Sequence, residues 1–134
     1  MNGTSQTPSL LVVEDHPVFR RFLLSWLSRS YRVTAVRDGF EALKWLQAGN
    51  FPDAVVLDME MPRLNGYEFL RNIRYSGAFS GLPVVALSSN SREEVLAKCD
   101  GFAVESVFTK PYNPESLTSA IASAVQAREV AVAA

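Results

Sequence analysis

The chain has 134 residues, 48% of them hydrophobic and 20% charged, which excludes a disordered or fibrous polypeptide and suits one domain around one core. A formal charge of −1 supplies no global field to recruit nucleic acid or an anionic membrane, so no direct contact with either is expected. One cysteine, Cys99, excludes an internal disulfide and suits a reducing compartment, and no apolar run approaches membrane-spanning length, so the expected location is the cytoplasm.

Residues 1–8 are polar and read as a flexible arm rather than a signal segment. Leu10-Leu11-Val12-Val13 is the first continuous apolar run, of the kind that suits a strand covered on both faces. Pro17 then sits where a first helical turn tolerates it, and Phe19, Phe22, Leu23, Trp26 and Leu27 form one helical stripe expected to face the core. Tyr31-Arg32-Val33-Thr34-Ala35-Val36 is a more mixed run, better suited to a sheet edge. Asp38 with Glu41, Asn65 with Glu68 and Ser91 with Glu94 each have capping-box spacing and open the second, third and fourth helices. Trp45 falls on the apolar face of the second.

Ala54-Val55-Val56-Leu57 and Leu82 to Leu87 are the third and fourth strands, and the short Ser106-Val107-Phe108 is the fifth. Cys99, after Val95-Leu96-Ala97-Lys98, reads as a small core or boundary residue. Asn113-Pro114 opens a last helix with Leu117, Ala120, Ile121, Ala124 and Val125 inward. Five strands alternating with five helices predict a three-layer α/β domain, a doubly wound (βα)5 fold with a flavodoxin-like parallel sheet of order 2-1-3-4-5. The domain is expected over residues 9–127, with 128–134 as a tail or the start of a linker.

In such sheets ligands bind beyond the carboxyl ends of the strands, where strand order reverses. The first strand is expected to end in Glu14-Asp15 and the third in Asp58, so the topology gathers three carboxylates into one crevice. Packed like charges call for a cation, and a hard divalent ion such as Mg²⁺ (or Mn²⁺) takes carboxylate oxygens while keeping sites for water and phosphate. The fourth strand ends at Ser88-Ser89 and the fifth at Lys110-Pro111. Acids, hydroxyl and lysine together suit the handling of a phosphoryl group, with a carboxylate as nucleophile.

Val12-Val13-Glu14-Asp15, Leu57-Asp58-Met59-Glu60-Met61-Pro62 with Asn65-Gly66, Leu87-Ser88-Ser89 and Thr109-Lys110-Pro111 stand in the order and places that make the chain resemble the receiver domain of two-component response regulators, of the chemotaxis-regulator type. The resemblance implies that Asp58 is the phosphoacceptor in a phosphorelay and that Glu14, Asp15, Asp58 and the backbone carbonyl of Glu60 hold Mg²⁺. It implies that Ser88 closes on the phosphoryl oxygen and that Lys110 pairs with Asp58 and then with the phosphate, across a Lys-Pro bond that is commonly cis in the family. The implied donor is a histidine kinase or histidine phosphotransfer protein. The implied reader is an effector domain or downstream protein on the face of helix four, strand five and helix five, with homodimerisation left open.

The chain also departs from the family. Val107 stands where an aromatic switch residue is usual, with Phe108 next to it on the opposite pleat face, so the switch positions Ser88, Val107 and Phe108 are expected to work differently. Phe102-Ala103-Val104-Glu105 replaces a common Gly-Ala-Asp turn. Asn90 and the Glu60 side chain are placed to tune water access. His16 is read as a solvent-facing residue beside a helix cap, and Phe108 and Tyr112 either as core or as partner surface. A haloacid-dehalogenase-like phosphatase, a flavin-phosphate binder and a non-phosphorylated pseudo-receiver are the rival readings. The first lacks a late acidic metal motif, the second lacks a Ser/Thr/Gly-rich loop after strand one, and the third is opposed by the complete acceptor set.

Overall fold

In the computed structural model, which describes residues 7–133, five parallel strands alternate with five helices. They are β1 (Ser9–Val13), α1 (Pro17–Leu27), β2 (Arg32–Val36), α2 (Gly39–Gln47), β3 (Ala54–Asp58), α3 (Gly66–Tyr75), β4 (Val84–Ser88), α4 (Arg92–Cys99), β5 (Ser106–Thr109) and α5 (Pro114–Ala133). The sheet order is β2-β1-β3-β4-β5, the order expected from the doubly wound class. Most of the arm expected over residues 1–8 lies outside the described residues.

The strands read as unbroken apolar runs because both faces of the sheet are covered. Leu11, Val13, Val55, Leu57, Val84 and Ala86 pack on one side with Ala42, Leu46, Phe69, Leu70, Ile73 and Val95 from α2, α3 and α4. The alternate residues Leu10, Val12, Ala54, Val56, Val85 and Leu87 pack on the other with Leu23, Leu27, Leu117, Ile121, Ala124 and Val125 from α1 and α5. β3 and β4 are buried end to end, whereas β2 and β5 are only half-covered, which suits their edge places. Val107 joins the first cluster and Phe108 the second, as their alternation requires.

Four expectations change in detail. The buried line of α1 is Leu23 and Leu27, while Phe19 and Phe22 are 46% and 41% exposed. The stripe is broader than the sheet it meets, so its Phe19–Phe22–Trp26 flank stays outside; Trp26 is half-buried and its indole N–H donates to Thr118 at 2.8 Å. Of the three capping boxes only Asn65–Glu68 is complete. Asp38 and Ser91 do cap their helices, but Glu41 turns back to the Arg37 amide and guanidinium, and Glu94 accepts the Ser91 hydroxyl. β4 starts at Val84, with Leu82-Pro83 as its approach. α5 continues as one helix past residue 127 to Ala133.

The β3–α3 connection fixes the mouth of the site. The Gly66 amide donates to the Met59 carbonyl at 3.2 Å, and a β-carbon on Gly66 would stand 2.6 Å from both the Asp58 carbonyl oxygen and the Met59 Cα. The obstacle is backbone, which cannot step aside as a flexible side chain can. Gly66→Ala is therefore expected to cost about 1–3 kcal/mol, the range for overpacking a tight contact. Urea unfolding of the two proteins measures it, and a change well below that range would show that the connection yields.

Candidate functional site

Parallel strands bring their carboxyl ends to one edge, and the register sets which ends meet. Val13 lies opposite Leu57, Asp58 opposite Leu87, and Ser88 opposite Thr109. Glu14 and Asp15 therefore follow β1 beside Asp58, the last residue of β3, with Ser88 ending β4 and Lys110 following β5. Glu14, Asp58 and Ser88 are buried and Asp15 is half-buried. Glu14, Asp15 and Asp58 each place one carboxylate oxygen within 4.8 Å of the others, the one acidic cluster of this kind among the described residues.

Lys110 is the cation of the crevice. Its Nζ lies 3.4 Å from Glu14 Oε1 and 3.4 Å from Asp58 Oδ1. The cis Lys110–Pro111 bond, as expected, sits directly after it, and the Lys110 amide donates to the Ser88 carbonyl at 2.7 Å. Its ammonium also lies 5.7 Å from the centre of the Phe19 ring, so the exposed flank of α1 borders the site.

The charges do not balance. Burial, and then the neighbouring carboxylates Glu14 and Asp15, push the Asp58 carboxyl up to about 8, with Lys110 acting in the opposite direction. Burial works to lower the Lys110 ammonium, yet the carboxylates of Asp58 and Glu14 leave it raised above its ordinary value. The Tyr112 phenol is pushed up to about 12, by burial first and then by Glu14 and Asp58. Glu14 Oε1 is buried without a hydrogen-bond donor. Clustered hard oxygens, one of them without a donor, fit a divalent cation of the Mg²⁺ type.

Backbone contacts hold the acids in place. The Glu60 amide donates to Asp58 Oδ1 at 3.1 Å and the His16 amide to Glu14 Oε2 at 3.1 Å. His16 itself is exposed; its Nδ1 accepts the Val18 amide as the cap of α1 and its ring lies 4.6 Å from that of Phe19. The Arg20 guanidinium donates to the carbonyls of Glu14 and Asp15, each at 3.1 Å. No sequence signal marked Arg20, because a carbonyl acceptor can belong to any residue. The Glu60 side chain was expected at the rim, but its bonds to Ser88 and Ser89 across the β3–β4 gap were not foreseen. Val107 and Phe108 are both half-buried, behind the site on opposite sides of the sheet.

The sequence profile of the response regulator receiver domain matches residues 10–122. Regulator of RpoS from Escherichia coli is 39% identical over 103 residues, covering 76% of this chain and 30% of that protein. Sensor histidine kinase RcsC from Salmonella typhi is 35% identical over 114 residues, covering 84% of this chain and 12% of the kinase. The chain thus spans under a third of the length of these curated relatives. Among solved structures, the receiver domain of a sensor histidine kinase from Pseudomonas aeruginosa superposes with a TM-score of 0.81 at 28% identity, over 90% of this chain and 99% of that one. That receiver is described with a magnesium ion coordinated in its active-site cleft.

The raised Asp58 carboxyl has a measurable consequence. In the folded, metal-free protein it keeps its proton up to about pH 8, whereas unfolded it loses it near its ordinary value of 3.8. The native state therefore binds more protons between these values, and stability falls as pH rises through that window. Thermal unfolding in chelator is expected to show a falling Tm from mildly acid to mildly alkaline pH, with Mg²⁺ restoring the loss at the alkaline end. Asp58→Asn is expected to flatten the profile; an unchanged slope in that variant would place the titrating group elsewhere.

Proposed function

Because the chain belongs to the response regulator receiver domain family, we propose that Asp58 takes a phosphoryl group from a phosphohistidine on a histidine kinase or histidine phosphotransfer protein. One observation carries the reading: the terminal carboxylate of a buried strand stands between two further acids and a lysine 3.4 Å away. An Asp58 carboxylate oxygen attacks phosphorus, forming the O–P bond of an aspartyl-phosphate. The N–P bond breaks, and its electron pair stays with the donor imidazole, which takes up a proton.

Glu14, Asp15, Asp58 and the main-chain carbonyl of Glu60 would hold Mg²⁺, or Mn²⁺ in its place. Bound there, the ion supplies positive charge to the phosphoryl oxygens during transfer. Lys110 lies close enough to the Asp58 carboxylate to pass from it to a phosphoryl oxygen with little movement. Ser88, the last residue of β4, has the one side-chain hydroxyl donor at that strand end that is fully buried beside Asp58. Arg20 and Gly66 keep the two acidic loops in position from outside the reacting atoms. The domain acts once per phosphoryl group as a signalling acceptor, catalysing only its own phosphorylation and dephosphorylation. Among the described residues no second acidic cluster completes a phosphatase site.

The donor has a surface to land on. Val18, Phe19, Phe22, Pro111 and Tyr112 line an apolar groove of about 670 Å³ that borders Lys110 and Ser89. The working unit of the proposal is residues 9–127, and its cytoplasmic location rests on the single buried cysteine. No helix among the described residues is long and apolar enough to cross a membrane. The output passes to an effector domain or downstream protein through the face of α4, β5 and α5, with the Ser88, Val107 and Phe108 positions behind it.

Intact-mass measurement after incubation with acetyl phosphate and Mg²⁺ tests the reading. One added phosphoryl group is expected on the wild-type chain, and none on Asp58→Asn or on wild type in chelator. An unmodified wild-type mass, together with no response to beryllofluoride, would identify a domain that signals by binding alone.

A further inference from the structure

Glu60 follows Asp58 by two residues, yet its carboxylate is engaged with β4 and stands apart from the Glu14–Asp15–Asp58 cluster. Oε2 accepts the Ser88 hydroxyl at 2.6 Å and Oε1 accepts the Ser89 amide at 2.8 Å. Both are hydrogen bonds to a charged acceptor, the stronger kind. The Ser88 oxygen also accepts the Asn90 amide at 2.9 Å. A hydroxyl has one proton to give. While it goes to Glu60, it is not available to a phosphoryl oxygen on Asp58.

Beside Glu60 opens a groove of about 430 Å³, lined by Met59, Met61, Pro62, Asn65, Tyr67 and Lys98 as well as Glu60 itself. One donor there is buried without a partner, and an exposed cation stands beside it. The Tyr67 hydroxyl is buried without a hydrogen-bond partner. Lys98 pairs with no carboxylate among the described residues, and its ammonium lies over the Tyr67 ring, 5.7 Å from the centre. The Tyr67 phenol is pushed up to about 12, by burial and then by the Glu60 charge, while the Ser88 hydroxyl acts in the opposite direction. Glu60, Tyr67 and Lys98 line the same groove.

We infer that Glu60 is a positioning residue with two stations: it holds Ser88 and Ser89 in the resting protein, and it moves to Tyr67 and Lys98 when Asp58 is phosphorylated. The inference rests on Asp58 being the acceptor. A phosphoryl group brings concentrated negative charge, which repels the Glu60 carboxylate and competes for the Ser88 O–H and Ser89 N–H. Ser88 exchanges one anionic acceptor for another. Glu60, once displaced, meets a phenol hydroxyl buried without a partner beside the Lys98 ammonium, so the second station satisfies a group that the first leaves open. The exchange is one of hydrogen-bond partners. It also carries the signal from β4 to α3 and α4 without an aromatic side chain at Val107.

Nuclear magnetic resonance of the isotope-labelled chain with Mg²⁺, free and with beryllofluoride bound at Asp58, reads both stations. In the free protein the Ser89 amide proton is expected downfield of its position in Glu60→Ala, with Glu60→Gln between them. On adding beryllofluoride, the Glu60 carboxyl carbon and the Lys98 side-chain nitrogen are expected to shift together. Tyr67→Phe is expected still to bind beryllofluoride but to lose most of the Glu60 shift. A Ser89 amide indifferent to Glu60→Ala, or a Glu60 carboxyl that stays fixed while residues around Asp58 respond, overturns the inference and leaves the acceptor reading standing. No beryllofluoride response anywhere overturns the acceptor reading, and the inference with it.

Discussion

The uncompensated charge of three carboxylates at the carboxyl edge of the sheet is the constraint on which the rest of this structure depends. β1 and β3 are neighbours in register, so Glu14 and Asp15 cannot avoid Asp58. One lysine reaches two of the three acids, and it leaves Asp58 raised to about 8. A site in this condition binds cations and resists full ionisation without them. The same buried setting that destabilises the ionised metal-free site also strengthens every interaction that a phosphoryl group would make there.

The scaffold keeps that strain local. β3 and β4 are buried along their length, so Asp58 and Ser88 stand at the ends of rods anchored in both cores. The loops between are held by short-range devices: the Gly66 contact with Asp58 and Met59, the Arg20 guanidinium on two carbonyls, and the complete Asn65–Glu68 box. Arg74 does the same at a distance, donating to the carbonyls of Ser80, Leu82 and Ala103 and so tying the approaches to β4 and β5 together. Rigid strands with adjustable side chains at their tips make a suitable place for a two-state element. The Ser88–Glu60 bond is placed for such a role, since Ser88 ends the strand beside Asp58 and Glu60 lines a groove with Tyr67 and Lys98.

Much of this was legible in the chain itself. The apolar runs, their alternation with capped helices and the split of Val107 and Phe108 between two cores follow from periodicity, and the strand order from the doubly wound class that the alternation implies. The placement of Glu14, Asp15, Asp58, Ser88 and Lys110 at one edge follows from topology alone. Side-chain choices among several nearby partners were harder to read. Glu41 had capping-box spacing, but Arg37 offered a charged partner and an amide closer by. Phe19 and Phe22 matched a helical stripe whose buried part proved narrower. The Glu60 carboxylate found its donors at the end of β4 and just beyond it, 28 and 29 residues away, a separation that no local pattern encodes.

Borohydride reduction followed by peptide mapping tests the central claim most directly. Borohydride converts an aspartyl-phosphate to homoserine, which marks the acceptor in the covalent chain. After phosphorylation in the presence of Mg²⁺, homoserine is predicted at position 58 alone. Homoserine at Asp15, or none at position 58 in a chain that has gained a phosphoryl group, would contradict the account.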